Sequence, residues 1–195
     1  MTNKRILVIV AHPDDETIWM GGTLLKSKLD KTIICLCRKN DEDRAPKFTK
    51  VCKILNAKCF ISDLDDSEQG DYKKISSRDI INRIKQFLKE DTNFDYIYTH
   101  NSNGEYGHIR HVEVHNAVNE ILDKKLLSAK KVFFFSYHKD EKTGICNINK
   151  NADKFIRLTS NHFNKKKQLI QDVYGFKENS FENKCCKDIE AFDIK

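Results

Sequence analysis

The chain has 195 residues, 39% hydrophobic and 33% charged, the balance of a soluble globular protein long enough to bury its own core. Its 35 basic and 29 acidic residues leave a net charge of +6, spread along Lys-rich stretches with no basic block interleaved with aromatics. This argues against a nucleic-acid surface and leaves open only a mild attraction to anionic substrates or peripheral contact with a membrane.

The seven cysteines are odd in number and lack a C-x-x-C spacing, so a disulfide framework is not expected. No apolar run approaches the roughly 20 residues that span a bilayer. The run Ile6 to Ala11, behind Met1 to Arg5, is too short for a signal-peptide core. The expectation is one domain over residues 1–195 in a reducing, cytoplasmic setting.

Taken in chain order, Arg5 to Val10 is a continuous β-branched run, the pattern of a strand buried on both faces. A short helix is predicted over 21–29. Thr32 to Cys37 reads as a second strand. Pro46 suits the first turn of a helix whose apolar positions are Phe48, Val51, Cys52 and Leu55. Cys59 to Ser62 is a third strand, followed by a helix marked by Ile80, Ile81, Ile84, Phe87 and Leu88. Phe94 to Thr99 is a fourth strand, and Val112, Val118, Ile121 and Leu122 mark the next helix. Val132 to Ser136 is a fifth strand and 139–153 an exposed loop. Phe155 to Leu158 reads as a strand, Phe163 to Tyr174 as a helix, and the polar tail as partly extended. The alternation predicts an α/β fold: a Rossmann-like, mostly parallel sheet with helices on both faces.

In such folds ligands bind beyond the carboxyl ends of the strands. The first strand runs into Ala11-His12-Pro13-Asp14-Asp15-Glu16, one imidazole and three carboxylates in five residues. Neutral imidazole and carboxylate oxygens are ligands for a divalent metal. Clustered acids at the mouth of a sheet call for a cation. The bland reading, in which Asp14 or Asp15 caps the next helix, is weighed against the His-Pro prefix and the position after a buried strand. Gly21-Gly22-Thr23 behind them permits close backbone approach. The fourth strand runs into His100-Asn101-Ser102-Asn103-Gly104-Glu105-Tyr106-Gly107-His108-Ile109-Arg110-His111, with His115 beyond. His108 and His111 share a face at a helix start and lie nearer the strand end than His115.

Together these two motifs, His12-Pro13-Asp14-Asp15-Glu16 with Gly21-Gly22-Thr23, and Gly107-His108-x-x-His111, resemble the PIG-L/LmbE-like de-N-acetylases over roughly the first 140 residues. The resemblance implies a Rossmann-like fold and a catalytic zinc, with iron(II) as the other ion such a ligand set accepts. It implies His12, Asp15 and His111 as ligands, Asp14 as general base, His108 as stabiliser of the tetrahedral intermediate, Tyr106 near the reacting carbonyl and Arg44 gripping a polar or anionic part of the substrate. The implied substrate is an N-acetylated amino sugar. Asp63, and less strongly Asp65 and Asp66, are further candidates for contact with sugar hydroxyls, against the simpler reading of a turn. Trp19 reads as a core residue before a ring that stacks on a sugar, and His100 reads equally as a neighbour of the site or as a partner of local backbone groups. The rival readings are a metal-dependent hydrolase of another bond and a non-catalytic sugar or metal binder. One departure is visible: Ile109-Arg110 stands between the two histidines where many relatives carry an acid, so His108 needs another partner to orient it.

Overall fold

A computed structural model describes residues 4–66 and 73–195. Residues 1–3 of the charged N-terminus and 67–72 of the loop expected at 63–73 lie outside the described residues.

Five parallel strands form the frame: β1 (Arg5–Val10), β2 (Asp30–Cys37), β3 (Ala57–Leu64), β4 (Asn93–Thr99) and β5 (Ser128–Phe135). Each expected strand is present, with ends shifted by a few residues. A short hairpin follows, β6 (Tyr137–Lys139) with β7 (Cys146–Ile148). Then come β8 (Lys154–Arg157) and β9 (Ile189–Ile194), both antiparallel to their neighbours. The sheet order is β3-β2-β1-β4-β5-β9-β8. The order reverses between β1 and β4, and the crevice outside their carboxyl ends is where a doubly wound sheet binds its ligand.

The helices are α1 (Asp15–Lys26), α2 (Arg44–Ile54), α3 (Ser77–Leu88), the single turn α4 (Gly104–Gly107), α5 (Ile109–Asp123), α6 (Ser160–Gln168) and α7 (Phe181–Cys185). They cover both faces because β1 is apolar at every position from Ile6 to Val10. Val8 and Val10 point to one side, against Trp19 and Leu24 of α1, Phe48 and Val51 of α2, and Ile170 and Tyr174. Leu7 and Ile9 point to the other, against Ile80 and Ile84 of α3 and Val114 and Val118 of α5. Among the described residues no helix is long and apolar enough to cross a membrane, and all seven cysteines are unpaired.

Three sequence expectations need correction. The first helix is not 21–29: it begins at Asp15, because the Asp14 carbonyl already accepts from Thr17 N and Ile18 N, and it kinks at Met20 (φ −145°) before ending at Lys26. Glu190 takes up the amides freed at the kink, accepting from Gly22 N and Thr23 N at 2.8 Å each. Residues 139–153 are not wholly an exposed loop, since β7 pairs with β6 and Cys146 is fully buried. The helix expected from Phe163 to Tyr174 starts at Ser160, capped by Thr159, and its last turn, Leu169–Val173, widens to π-helical spacing.

Candidate metal centre

The turn after β1 is held by its own side chains. Asp15 Oδ2 accepts from His12 N at 2.8 Å, and Asp15 Oδ1 accepts from the Trp19 indole at 3.0 Å. Asp14 stands between them at φ 114°, a conformation that costs an L residue roughly 1–3 kcal/mol. Glu16 holds it there, its Oε2 accepting from Asp14 N at 3.1 Å and its Oε1 from Tyr174 Oη at 2.7 Å. Neither Asp14 nor Asp15 is a helix cap in the ordinary sense: the Asp14 side chain makes no capping bond, and the Asp15 carboxylate turns back onto His12 and Trp19.

The turn after β4 brings its imidazoles to the same point. Glu105 Oε2, fully buried, receives His100 Nδ1 at 2.8 Å and His111 Nδ1 at 2.6 Å. Ala11 N donates to His100 Nε2 at 2.9 Å, which fixes the His100 proton on Nδ1. Burial alone would raise the Glu105 carboxyl, but the two imidazoles hold it down to about 2. With its Nδ1 proton given to Glu105, His111 presents the Nε2 lone pair inward.

His12 is arranged in the same way. Its Nε2 donates to Asp66 Oδ1 at 3.0 Å, which leaves the Nδ1 lone pair facing His111 Nε2 at 3.1 Å. Asp66 is gripped by Arg38 at 2.8 Å, and His12 and Arg38 bring its carboxyl to about 2 against the effect of burial. The backbone beside Asp66 is tied down in turn. Fully buried Arg110 donates from Nε to the Asp65 carbonyl and from Nη1 to Glu113, at 2.6 Å each.

Asp15 Oδ2 completes a triangle, 3.3 Å from His12 Nδ1 and 3.4 Å from His111 Nε2. A tetrahedral ion with bonds of about 2.0–2.1 Å needs ligand atoms about 3.3–3.4 Å apart. The three edges here, 3.1, 3.3 and 3.4 Å, fit that requirement. Burial disfavours charged imidazoles at His12 and His111, yet Asp15 raises the pKa of both, and the same negative field favours a cation.

The remaining candidates are placed as follows. His108 caps α5, its Nδ1 accepting from Arg110 N at 3.3 Å, so the partner that orients it is a backbone amide. Burial and the neighbouring His12 and His111 push His108 down to about 3, so it is neutral with its proton on Nε2. Its ring lies 4.6 Å from that of His12 and 4.8 Å from that of His111. Asp14 Oδ2 is bound by Arg44 Nη1 at 2.6 Å, and the Arg44 guanidinium lies over the Phe176 ring. Burial and Asp15 push the Asp14 carboxyl well up, with Arg44 opposing. A cavity of about 130 Å³ opens over this group, lined among others by Asp14, Trp19, Arg44, Tyr106 and His108. Burial and nearby acids raise the Tyr106 hydroxyl, which stays protonated. Asp63 is exposed and paired with Arg83 at 2.5 Å, and it does not line this cavity. His115 is turned away, donating to the His100 carbonyl at 3.0 Å.

Comparison with known proteins bears on the family and the fold. The sequence profile of the PIG-L family, described as GlcNAc-PI de-N-acetylase, matches residues 7–122. The chain belongs to the PIG-L family. Both motif turns lie inside the match. An uncharacterized protein of Acanthamoeba polyphaga mimivirus is 27% identical over 130 residues, which are 59% of this chain and 56% of that protein, so the match spans about half of the relative's length. The N,N'-diacetylchitobiose deacetylase of Pyrococcus horikoshii, solved with its inhibitor MPG, superposes with a TM-score of 0.71 at 17% identity, covering 99% of this chain and 84% of that one. That likeness is one of fold.

Three residues on which the site depends were not singled out from the sequence: Glu105, Glu16 as the clamp on Asp14, and Tyr174. Asp66, expected at most to touch sugar hydroxyls, instead holds His12. Glu105 lay within the motif loop but looked like one of many loop acids. Asp66 and Tyr174 become neighbours of the site only once the chain has folded.

Proposed function

We propose that the protein is a metal-dependent amidohydrolase that removes the acetyl group from an N-acetylated amino sugar. The observation that carries this reading is the triangle of His12 Nδ1, Asp15 Oδ2 and His111 Nε2, with the neighbouring Asp14 carboxylate held by Arg44. Family membership supports the choice of bond.

The protons of His12 and His111 are held outward by Asp66 and Glu105, so these two side chains and Asp15 would hold the ion. A divalent metal there supplies Lewis acidity, lowering the pKa of water toward neutrality and taking up charge on the carbonyl oxygen. Zinc suits the set best, and iron(II) is the alternative ion. Asp14 takes the proton of the attacking water. Burial and Asp15 raise its carboxyl, the direction that suits a base which must later return the proton. Arg44 serves as the charge partner of Asp14. His108 offers Nε2–H to the carbonyl oxygen as it gains charge. Because it is neutral, it does so without repelling the ion. Such a donor contributes about 3 kcal/mol to lowering the barrier. Tyr106, protonated at the cavity wall, is the second donor. Asp14 then returns its proton to the leaving amine, giving acetate and the free amino sugar.

The test is acetate release from a panel of N-acetylated sugars by protein of measured metal content. Release that stops on chelation and returns with zinc is expected. Absence of acetate from every sugar, with one metal bound per chain, would overturn the reading.

A further inference from the structure

The wall of the cavity opposite the metal triangle comes from a segment beyond the 7–122 family match. Phe181 and Glu182 of α7 line the same space as Asp14, Tyr106 and His108. Phe181 sets its edge against the Tyr106 ring, centroids 5.0 Å apart. Ser180 caps the turn by accepting from Asn183 N at 3.2 Å, and the Asn183 side chain and carbonyl are both held by Lys167. The turn that carries Glu182 is therefore anchored.

The charges around this cavity are unevenly satisfied. Arg44 is bound to Asp14, and Arg38 to Asp66 and Asp41. Among the described residues Glu182 makes no hydrogen bond or ion pair with its side chain, although its carboxylate borders the cavity. A buried or half-buried carboxylate without a partner favours a ligand that donates hydrogen bonds and disfavours an anion. The remaining wall is apolar or aromatic: Ile18, Trp19, Tyr106 and Phe181.

Resting on the deacetylase reading, we propose that Glu182 is a specificity-determining residue that selects an uncharged or amine-bearing N-acetyl sugar and rejects sugars carrying a phosphate. Its carboxylate accepts from sugar hydroxyls or an ammonium, whereas a phosphate brought to the same place meets like charge, with both cavity arginines already paired.

The experiment compares zinc-loaded wild type with Glu182→Gln and Glu182→Lys. Calorimetry measures binding of N-acetylglucosamine and of its 1- and 6-phosphates, and acetate release is followed in parallel. Wild type should bind the neutral sugar at least tenfold more tightly than either phosphate. Glu182→Gln should shrink that ratio, and Glu182→Lys should abolish or invert it, with the change falling in KM more than in kcat. An unchanged ratio in both variants, or a wild type that prefers a phosphate, would overturn the assignment of Glu182. A binding ratio that shifts as expected without acetate release from any sugar would uphold Glu182 as a selector and overturn the deacetylase reading instead.

Discussion

Tyr174 donates its hydroxyl proton to Glu16, a residue 158 positions earlier in the chain, and the other oxygen of Glu16 fixes the amide of Asp14. A phenol from the C-terminal part thus sets the backbone of the residue proposed as the base. Tyr174→Phe keeps the ring packing and removes one bond to a buried carboxylate. Bonds to charged groups contribute about 1.5–3 kcal/mol. The expected result is a denaturation midpoint lowered to match about 2 kcal/mol, with kcat reduced and metal content unchanged. Wild-type stability and turnover together would show that the bond does not hold Asp14.

Glu16 also predicts a pH dependence. Burial raises its carboxyl to about 7, against the bonds from Thr17, Tyr174 and the Asp14 amide. The folded chain therefore keeps a proton that the unfolded chain loses near the ordinary glutamate value. Stability from this group is greatest below about pH 4.5 and falls as the pH rises through about 7, by about 3 kcal/mol in all. In chelator-treated protein, Glu16→Gln should lack this part of the slope. Urea titrations at pH 5 and pH 8 that gave identical differences between wild type and variant would contradict it.

The proposed ligands and the proposed base separate in a metal assay. Asp14→Asn should retain the metal and lose turnover by roughly 10²–10⁴-fold, the usual worth of a general base. His12→Ala and Asp15→Ala should lose the metal as well. Near wild-type turnover in metal-loaded Asp14→Asn would remove Asp14 from the mechanism.

Glu105 touches no substrate, yet it sets the tautomers of His100 and His111. Glu105→Gln should weaken metal affinity or activity by roughly 10–100-fold, as loss of the partner behind a ligating histidine does. A metal dissociation constant and turnover both within twofold of wild type would show that His111 is oriented by packing alone.

Lys166 and Glu190, both fully buried, are paired at 2.8 Å, and Glu190 also receives the hydroxyl of Thr23. Glu190→Ala leaves an ammonium without its counter-charge, at a cost of about 3–5 kcal/mol. Lys166→Met with Glu190→Gln should recover part of that loss. If the double substitution were as unstable as Glu190→Ala, the cost would lie in the lost bonds to Gly22 and Thr23 rather than in the stranded charge.

The parallel half of the fold was legible because the apolar runs Ile6 to Val10 of β1 and Ile33 to Cys37 of β2 are buried on both faces. The last quarter was not. In β9 the charged Glu190 is buried between apolar neighbours, and its burial depends on Lys166 from another element. At the site, the residues with their own local pattern, His12 to Asp15 and His108 to His111, could be picked out in the sequence. The groups that hold them could not, because Asp66, Glu105 and Tyr174 act through contacts that no spacing announces. Arg110 shows the same limit: between two histidines it looked like a lost acid, and in the fold it anchors the backbone next to Asp66.

The tie between Glu190 and the kink of α1 spans 168 positions, and that between Tyr174 and Glu16 spans 158. Loops of that length close slowly, because their entropy is lost before the contacts form. During synthesis both motif turns leave the ribosome long before the segments that clamp them. A nascent chain of this protein therefore carries every proposed metal ligand and the proposed base before it has the segments that clamp Asp14 and the kink of α1, and the proposed activity waits on their arrival.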